Sequence, residues 1–287
     1  MPNIKFLQPK SLDEAVSLLG SEPDETKVIS GGTALVIMLR NRLIAPATLL
    51  SVNHLQELRR VRHEPDVGLR IGALVTIREA EISSVVREKN PTLAQTFAKV
   101  GNVRVRNAAT IGGNLSEADY ASDPPCVLVA LRARVKARSV RGEREIPLAD
   151  LFKGFYETTL APDEIMTELI VPDPSPGSHS TYLKYISRSS EDRPCVGMAV
   201  VVKNEPDGSC QELRLVAGAV SETPQEIEWA ETMARGKQWT DSLIEEIAGA
   251  YATAIEPLSD LRGSAWYRKQ IIRVMARRAM QQALASS

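Results

Sequence analysis

What this chain has little of narrows its possible roles. Its three cysteines, Cys126, Cys195 and Cys210, are odd in number and far apart. They form no C-x-x-C pair, which points to a reducing cytoplasm and places any iron–sulfur cluster or zinc outside this chain. The three histidines, His54, His63 and His179, share no H-x-x-x-H spacing and are read as surface or loop residues. Lysine and arginine number 35 against 36 acids, a net charge of −1, so no charge excess argues for nucleic acid or an anionic membrane. No apolar run has the length of a transmembrane helix, and "MPNIKFLQPKSLDEA" at the start lacks the apolar core of a secretory signal. Also missing are a G-x-G-x-x-G with its ribose-binding acid and a Walker lysine, so neither common nucleotide fold is indicated.

What is present reads as α+β. "SLDEAVSLLG" is a short helix, with Ser11 as N-cap and Glu14 completing a capping box. "TKVISGG" runs as a strand into a turn, and residues 33–42 then read as a helix. "ATLLSVNHL" is a buried strand. "GLRIGALVTIREAE" alternates and then turns helical, and residues 90–100 form a helix capped by Asn90 with Pro91 in its first turn. A hairpin is expected around Arg141 and Gly142, and "EIMTELIVP" is a strand. Residues 172–180, rich in Pro, Ser and Gly, are the clearest linker. Three strands follow, with "EPDG" as a hairpin turn. From Pro224 onward the pattern is helical, and the apolar stripes there read as core.

Two glycine pairs draw attention: "VISGGTAL" at 28–35 and "ATIGGN" at 109–114. A diglycine at a strand end exposes successive backbone N–H groups, and such concavities bind anionic oxygens. Two of them fit the halves of a pyrophosphate. The competing reading is two tight turns with no ligand, and the residues alone leave that choice open.

The same segments, with "GLRIGALVTIREAE", "VRNAATIGGNLSEADYASDPPCVLVAL", "TTLAPDEIMTELIVP" and "DLRGSAWYRKQ", resemble the FAD-binding medium subunit of the molybdenum hydroxylases, in that family's order and over essentially the whole chain. The resemblance implies a two-part FAD-binding unit of the vanillyl-alcohol-oxidase-like (PCMH) type, at 1–56 and 57–175. It also implies a C-terminal domain, 176–287, with a small antiparallel sheet packed on helices. The first FAD loop falls on Val28, Ile29, Ser30, Gly31, Gly32, Thr33, Ala34 and Leu35, and the second on Thr110, Ile111, Gly112, Gly113 and Asn114. Asp123 falls on an acid that meets ribose or ribityl hydroxyls; its alternative role is to cap the turn before Pro124. Val100 and Gly101 fall beside the adenine, and Leu160 and Lys184 beside the isoalloxazine. By its chemistry alone, Lys184 reads as a solvated strand lysine. The tract 187–197, with Arg193 and Pro194, falls near the flavin's exposed face.

The implied function is that of an FAD-binding electron-transfer subunit. It would take electrons from [2Fe-2S] clusters in a small partner and pass them to an external acceptor, with the molybdenum cofactor in a large partner. The expected assembly is a dimer of heterotrimers. The alternatives are a self-sufficient FAD-dependent oxidase or dehydrogenase and a flavin-free scaffold subunit. Arg132, Arg134, Lys136 and Arg138 lie on an alternating stretch that reads either as a strand with a solvated basic face or as a docking surface for an acidic partner.

Overall fold

Ser11 starts the first helix by accepting the Glu14 N–H at 3.2 Å. Leu12, Ala15, Val16 and Leu19 then fall on one buried stripe. This helix, α1 (Leu12–Ser21), connects two parallel strands, β1 (Lys5–Leu7) and β2 (Thr26–Ile29), which flank β3 (Thr48–Ser51). A parallel pair needs such a crossover, and α2 (Leu35–Arg40) supplies the next one. α2 is shorter than the helix expected over 33–42. It has no side-chain cap, and the chain is still turning through residues 31–34. The computed structural model describes residues 4–189 and 191–286.

A five-stranded antiparallel sheet forms the middle of the molecule. Its strands are β4 (Val61–Glu64), β5 (Gly68–Gly72), β6 (Arg134–Ser139), β7 (Gly142–Pro147) and β10 (Ile165–Val171), in the order β4-β5-β10-β6-β7. Central β10 is buried along all seven residues. Between β5 and β6 run six helices: α3 (Ile77–Ile82), α4 (Ser84–Lys89), α5 (Pro91–Ala98), α6 (Val103–Ala108), α7 (Ile111–Glu117) and α8 (Asp123–Ala130). Asn90 Oδ1 caps α5 by accepting Leu93 N–H at 2.9 Å. After β7 come α9 (Leu148–Leu151) and a two-stranded ribbon, β8 (Phe152–Gly154) and β9 (Glu157–Thr158). The basic residues at 132–138 are paired within the chain: Arg132 with Glu226 and Arg134 with Glu145, each at 2.6 Å, Lys136 with Glu145 at 3.7 Å, and Arg138 with Asp13. They are not a free basic surface, and the solvated-face reading is the one these contacts favour.

The last part is a four-stranded antiparallel sheet, β11 (Ser178–Tyr185), β12 (Val196–Asn204), β13 (Cys210–Gly218) and β14 (Gln225–Glu226), in that order. β11 begins inside the expected linker, and β14 precedes the helices where helix alone was expected. The helices are α10 (Glu228–Thr232), α11 (Asp241–Ala254) and α12 (Ala265–Leu284). Strand alternation makes β12 serve two cores. Met198, Val200 and Val202 pack toward α11 and α12, while Ala199 and Val201 join the central core with Leu128 and Val135. The sheet therefore lies between the C-terminal helices and the helices of the middle part, and its β11 edge reaches the candidate site. The fold is α+β. Among the described residues, no helix is long and apolar enough to cross a membrane.

Candidate functional site

After β2 the chain turns through Ser30–Ala34. Gly32 has φ +70°, the left-handed region that glycine enters freely. Gly31 lies against the backbone of Ala108: a Cβ at this position would come within 1.9 Å of the Ala108 carbonyl oxygen. Among the described residues, the backbone N–H groups of Gly31, Gly32, Thr33, Ala34 and Leu35 have no protein acceptor. These residues are half-buried and the last of them opens α2, so five successive donors without a protein acceptor are open to water or to an anionic oxygen.

The second glycine pair is built differently. Thr110 is the N-cap of α7, and its Oγ1 accepts Gly113 N–H at 3.1 Å. Ile111 N–H donates to Val75 O at 2.9 Å and Gly112 N–H to Ala73 O at 2.8 Å. Gly112 and Gly113 are thus in the first turn of a helix, at negative φ, with their N–H groups already paired. The expectation of a second turn presenting free donors is corrected. The reason is the neighbouring turn after β5, whose carbonyls take the Ile111 and Gly112 protons, together with the Thr110 cap, which takes that of Gly113. Gly112 is needed for space, since a Cβ there would stand 2.7 Å from Ala73 Cβ. Gly113 is exposed beside the hydroxyls of Thr110 and Ser30.

The two segments touch. Ser30 Oγ and Thr110 Oγ1 are hydrogen-bonded at 2.8 Å. Asn114 Nδ2 donates to Ser122 Oγ at 2.9 Å, and Ser122 is the N-cap residue before Asp123. Asp123 is 3% exposed and accepts from Tyr182 Oη at 2.7 Å and Lys184 Nζ at 2.9 Å. Lys184 Nζ also donates to Lys99 O at 2.8 Å. Lys99 precedes Val100 and Gly101, whose carbonyls accept from Arg106 Nη1 at 3.0 and 3.1 Å. A continuous line of contacts therefore joins the first loop, Thr110–Asn114, Asp123, Lys184 and Val100–Gly101. Leu160 lies off this line, half-buried against the central core just after β9, which packs on α7. In the tract 187–197, Arg193 pairs with buried Asp119 at 2.5 Å; Ser190 lies outside the described residues.

The electrostatics follow from burial. Burial pushes the Asp123 carboxyl above the usual range, against the pull of Lys184 and of the Tyr182 hydroxyl. It raises Tyr182 well above an ordinary phenol, with the Asp123 charge adding to the effect. Glu117, at the end of α7, is pushed up to about 7 by burial and by Asp119. Sequence reasoning missed Ser122, Tyr182 and Lys99. For Tyr182 a signal existed, because it stands two residues before Lys184 and so shares its strand face. Lys99 had none beyond being next to Val100. Among the described residues, no cluster of three or more His, Cys, Asp or Glu side chains could hold a metal ion.

Residues 2–174 match the family described as the FAD binding domain in molybdopterin dehydrogenase, and residues 181–283 match the CO dehydrogenase flavoprotein C-terminal domain. The chain is 32% identical to the glyceraldehyde dehydrogenase medium chain of Sulfolobus acidocaldarius, covering 98% of each. It is 31% identical to the carbon monoxide dehydrogenase medium chain of Hydrogenophaga pseudoflava, over 99% of this chain and 98% of that one. A solved structure of carbon monoxide dehydrogenase from Hydrogenophaga pseudoflava, lacking the Mo-pyranopterin moiety of the molybdenum cofactor, contains a chain that superposes with TM-score 0.94 at 32% identity. That match covers 99% of this chain and 98% of the other. With both halves matched and the fold in common, this chain belongs to the FAD-binding medium subunits of the molybdenum hydroxylases.

Proposed function

We propose that the chain holds one FAD at the joined segments and acts as the electron-transfer subunit of its complex, between [2Fe-2S] clusters of a small partner and an external acceptor. The observation that carries this reading is the run of five N–H groups at Gly31–Leu35 with no acceptor among the described residues, on a loop that Ser30 ties to the start of α7. Bound FAD supplies the redox chemistry, and the protein supplies position and electrostatics. The free N–H groups take the pyrophosphate oxygens. The Ser30–Thr110 bond keeps both segments at that point. Asp123 has lone pairs beyond those used by Tyr182 and Lys184, and these accept from ribose or ribityl hydroxyls. Val100 and Gly101 flank the adenine, while Leu160 and Lys184 face the ring system.

The proposed division of the chain is 1–56, 57–175 and 176–287. It is supported by the break between the two family matches and by an N-terminal hydrophobic cluster built around Leu12, Leu19 and Leu50. The large partner carries the molybdenum cofactor, the complex is a dimer of heterotrimers, and it resides in the cytoplasm, where three unpaired thiols stay reduced.

The test is the spectrum of the purified chain. One flavin per chain is expected, released into solution by acid precipitation, because neither segment holds a His or Cys to attach it. A chain that cannot be loaded with FAD overturns the reading, and flavin retained in the acid pellet overturns non-covalent binding.

A further inference from the structure

Where α5, α8 and β11 meet, two ammonium groups and one carboxylate gather, with Lys99 half-buried beside a buried Lys184 and Asp123. Asp123 and Lys184 are a closed pair, their side chains 4% and 6% exposed and their charged atoms 2.9 Å apart. Lys184 spends a second donor on Lys99 O. Lys99 is the cation left over. Its Nζ donates to Tyr182 O at 2.7 Å and stands 5.2 Å above the Tyr182 ring. Among the described residues this is its one hydrogen bond, although an ammonium has three donors. The charges acting on it are Asp123, already matched by Lys184, and Lys184 itself, which repels it. Burial draws the Lys99 ammonium below the usual lysine range. A surplus cation partly removed from water costs stability unless an anion answers it. Among the described residues no further carboxylate acts on it, which leaves its remaining donors to water or to an anion from outside.

We propose that Lys99 is the counter-cation for the negative charge that gathers on the flavin ring during reduction. This rests on the FAD reading above. Two electrons from the partner's clusters and one proton from water add one net negative charge to the ring system. A cation in a partly dry site lowers the energy of that state and not of the neutral oxidised one. Lys184 cannot do this alone, because its charge is already matched by Asp123. Lys99 holds Lys184, which faces the ring system in the FAD reading, through its own carbonyl, so it stands at that end of the line of contacts described above. It is a positioning and electrostatic residue in this account, with no bond made or broken at its nitrogen.

The experiment is a redox titration of the full chain loaded with FAD, comparing the unmodified protein with Lys99→Met, Lys99→Gln and Lys99→Arg. At one fixed poise, the ratio of reduced to oxidised flavin should fall about tenfold in Lys99→Met and Lys99→Gln. For a two-electron couple that is a drop of about 30 mV. Lys99→Arg should stay near the unmodified value, and FAD content should be equal in all four. The unmodified protein should also bind reduced FAD more tightly than oxidised FAD, which needs no variant to fold. An unchanged ratio in both neutral variants overturns the proposal. So does weaker binding of oxidised FAD with an unchanged ratio, which would assign Lys99 to the phosphates. Looser binding of reduced than of oxidised FAD by the unmodified chain overturns it as well. Failure of the unmodified chain to take up FAD sinks the underlying reading instead, so the two failures are distinguishable.

Discussion

Single residues at this site separate into those that make room and those that make bonds. Gly31 makes room: an added Cβ would lie 1.9 Å from the Ala108 carbonyl oxygen, and backbone on both sides would have to part. Gly113 is different, because its Cβ would meet only the Thr110 and Ser30 hydroxyls, at 2.9 and 3.1 Å. Those side chains have some freedom to move, and Ala in a helix is favoured over Gly by about 1 kcal/mol. Gly31→Ala should therefore lose most of its flavin and unfold several degrees lower. Gly113→Ala should keep its stability within about 1 kcal/mol, so any loss of flavin there reports contact with the cofactor. Absorbance per chain and thermal melts measure both. A Gly31→Ala variant with full flavin would show that the close approach is dispensable. The sequence marked both glycine pairs as special, but their reasons differ. Nothing local in "ATIGGN" tells that Val75 and Ala73, from a turn some forty residues earlier, have already taken the N–H groups of Ile111 and Gly112.

Elements show the same division between what is local and what is not. β10 and β12 were legible because a continuous apolar run bounded by turn residues has few other uses. α6, α7 and α8 were not, because glycines and prolines dominate the eye in 101–125. The helix signals were there in Asn102 and Thr110 as caps and Pro124 in a first turn. α12 hides a feature its apolar stripe does not announce. Arg268 is 0% exposed, donates to Cys195 O at 2.7 Å and to Ala219 O, and pairs with Asp260 at 2.5 Å. Asp260 in turn accepts from Tyr120 at 2.9 Å, on the connection between α7 and α8. One helix residue thus ties the C-terminal sheet to the segment that carries Asp123. Arg268→Met leaves the Cys195 and Ala219 carbonyls without this donor, while Asp260 keeps Arg262 and Tyr120, and should cost about 1–3 kcal/mol for each buried acceptor left unsatisfied. Arg268→Lys should recover little of it, because an ammonium cannot span three acceptors in a fork. Urea unfolding of the three proteins decides, and a loss under about 1 kcal/mol in Arg268→Met would make the network dispensable.

At the scale of the whole molecule, the question is what one subunit does alone. Its cysteines are buried at three separate places and cannot converge on a cluster. In the proposed reading its glycine segments, its buried Asp123–Lys184 pair and Lys99 all serve a cofactor, and no constellation among them serves an organic substrate. The isolated, FAD-loaded chain should therefore keep its yellow colour when mixed anaerobically with the substrate of its complex. The assembled complex should bleach under the same conditions. A chemical reductant should bleach both, and the reduced chain should pass its electrons to an artificial dye, since a relay must leave one edge of the ring open to an acceptor. Removing FAD from the complex should stop turnover with the natural acceptor. Substrate that bleaches the chain by itself would mean that it carries its own substrate site and is a self-sufficient flavoenzyme. That result would return attention to Glu117, pushed up to about 7 at the end of α7 and so poised to exchange a proton near neutral pH.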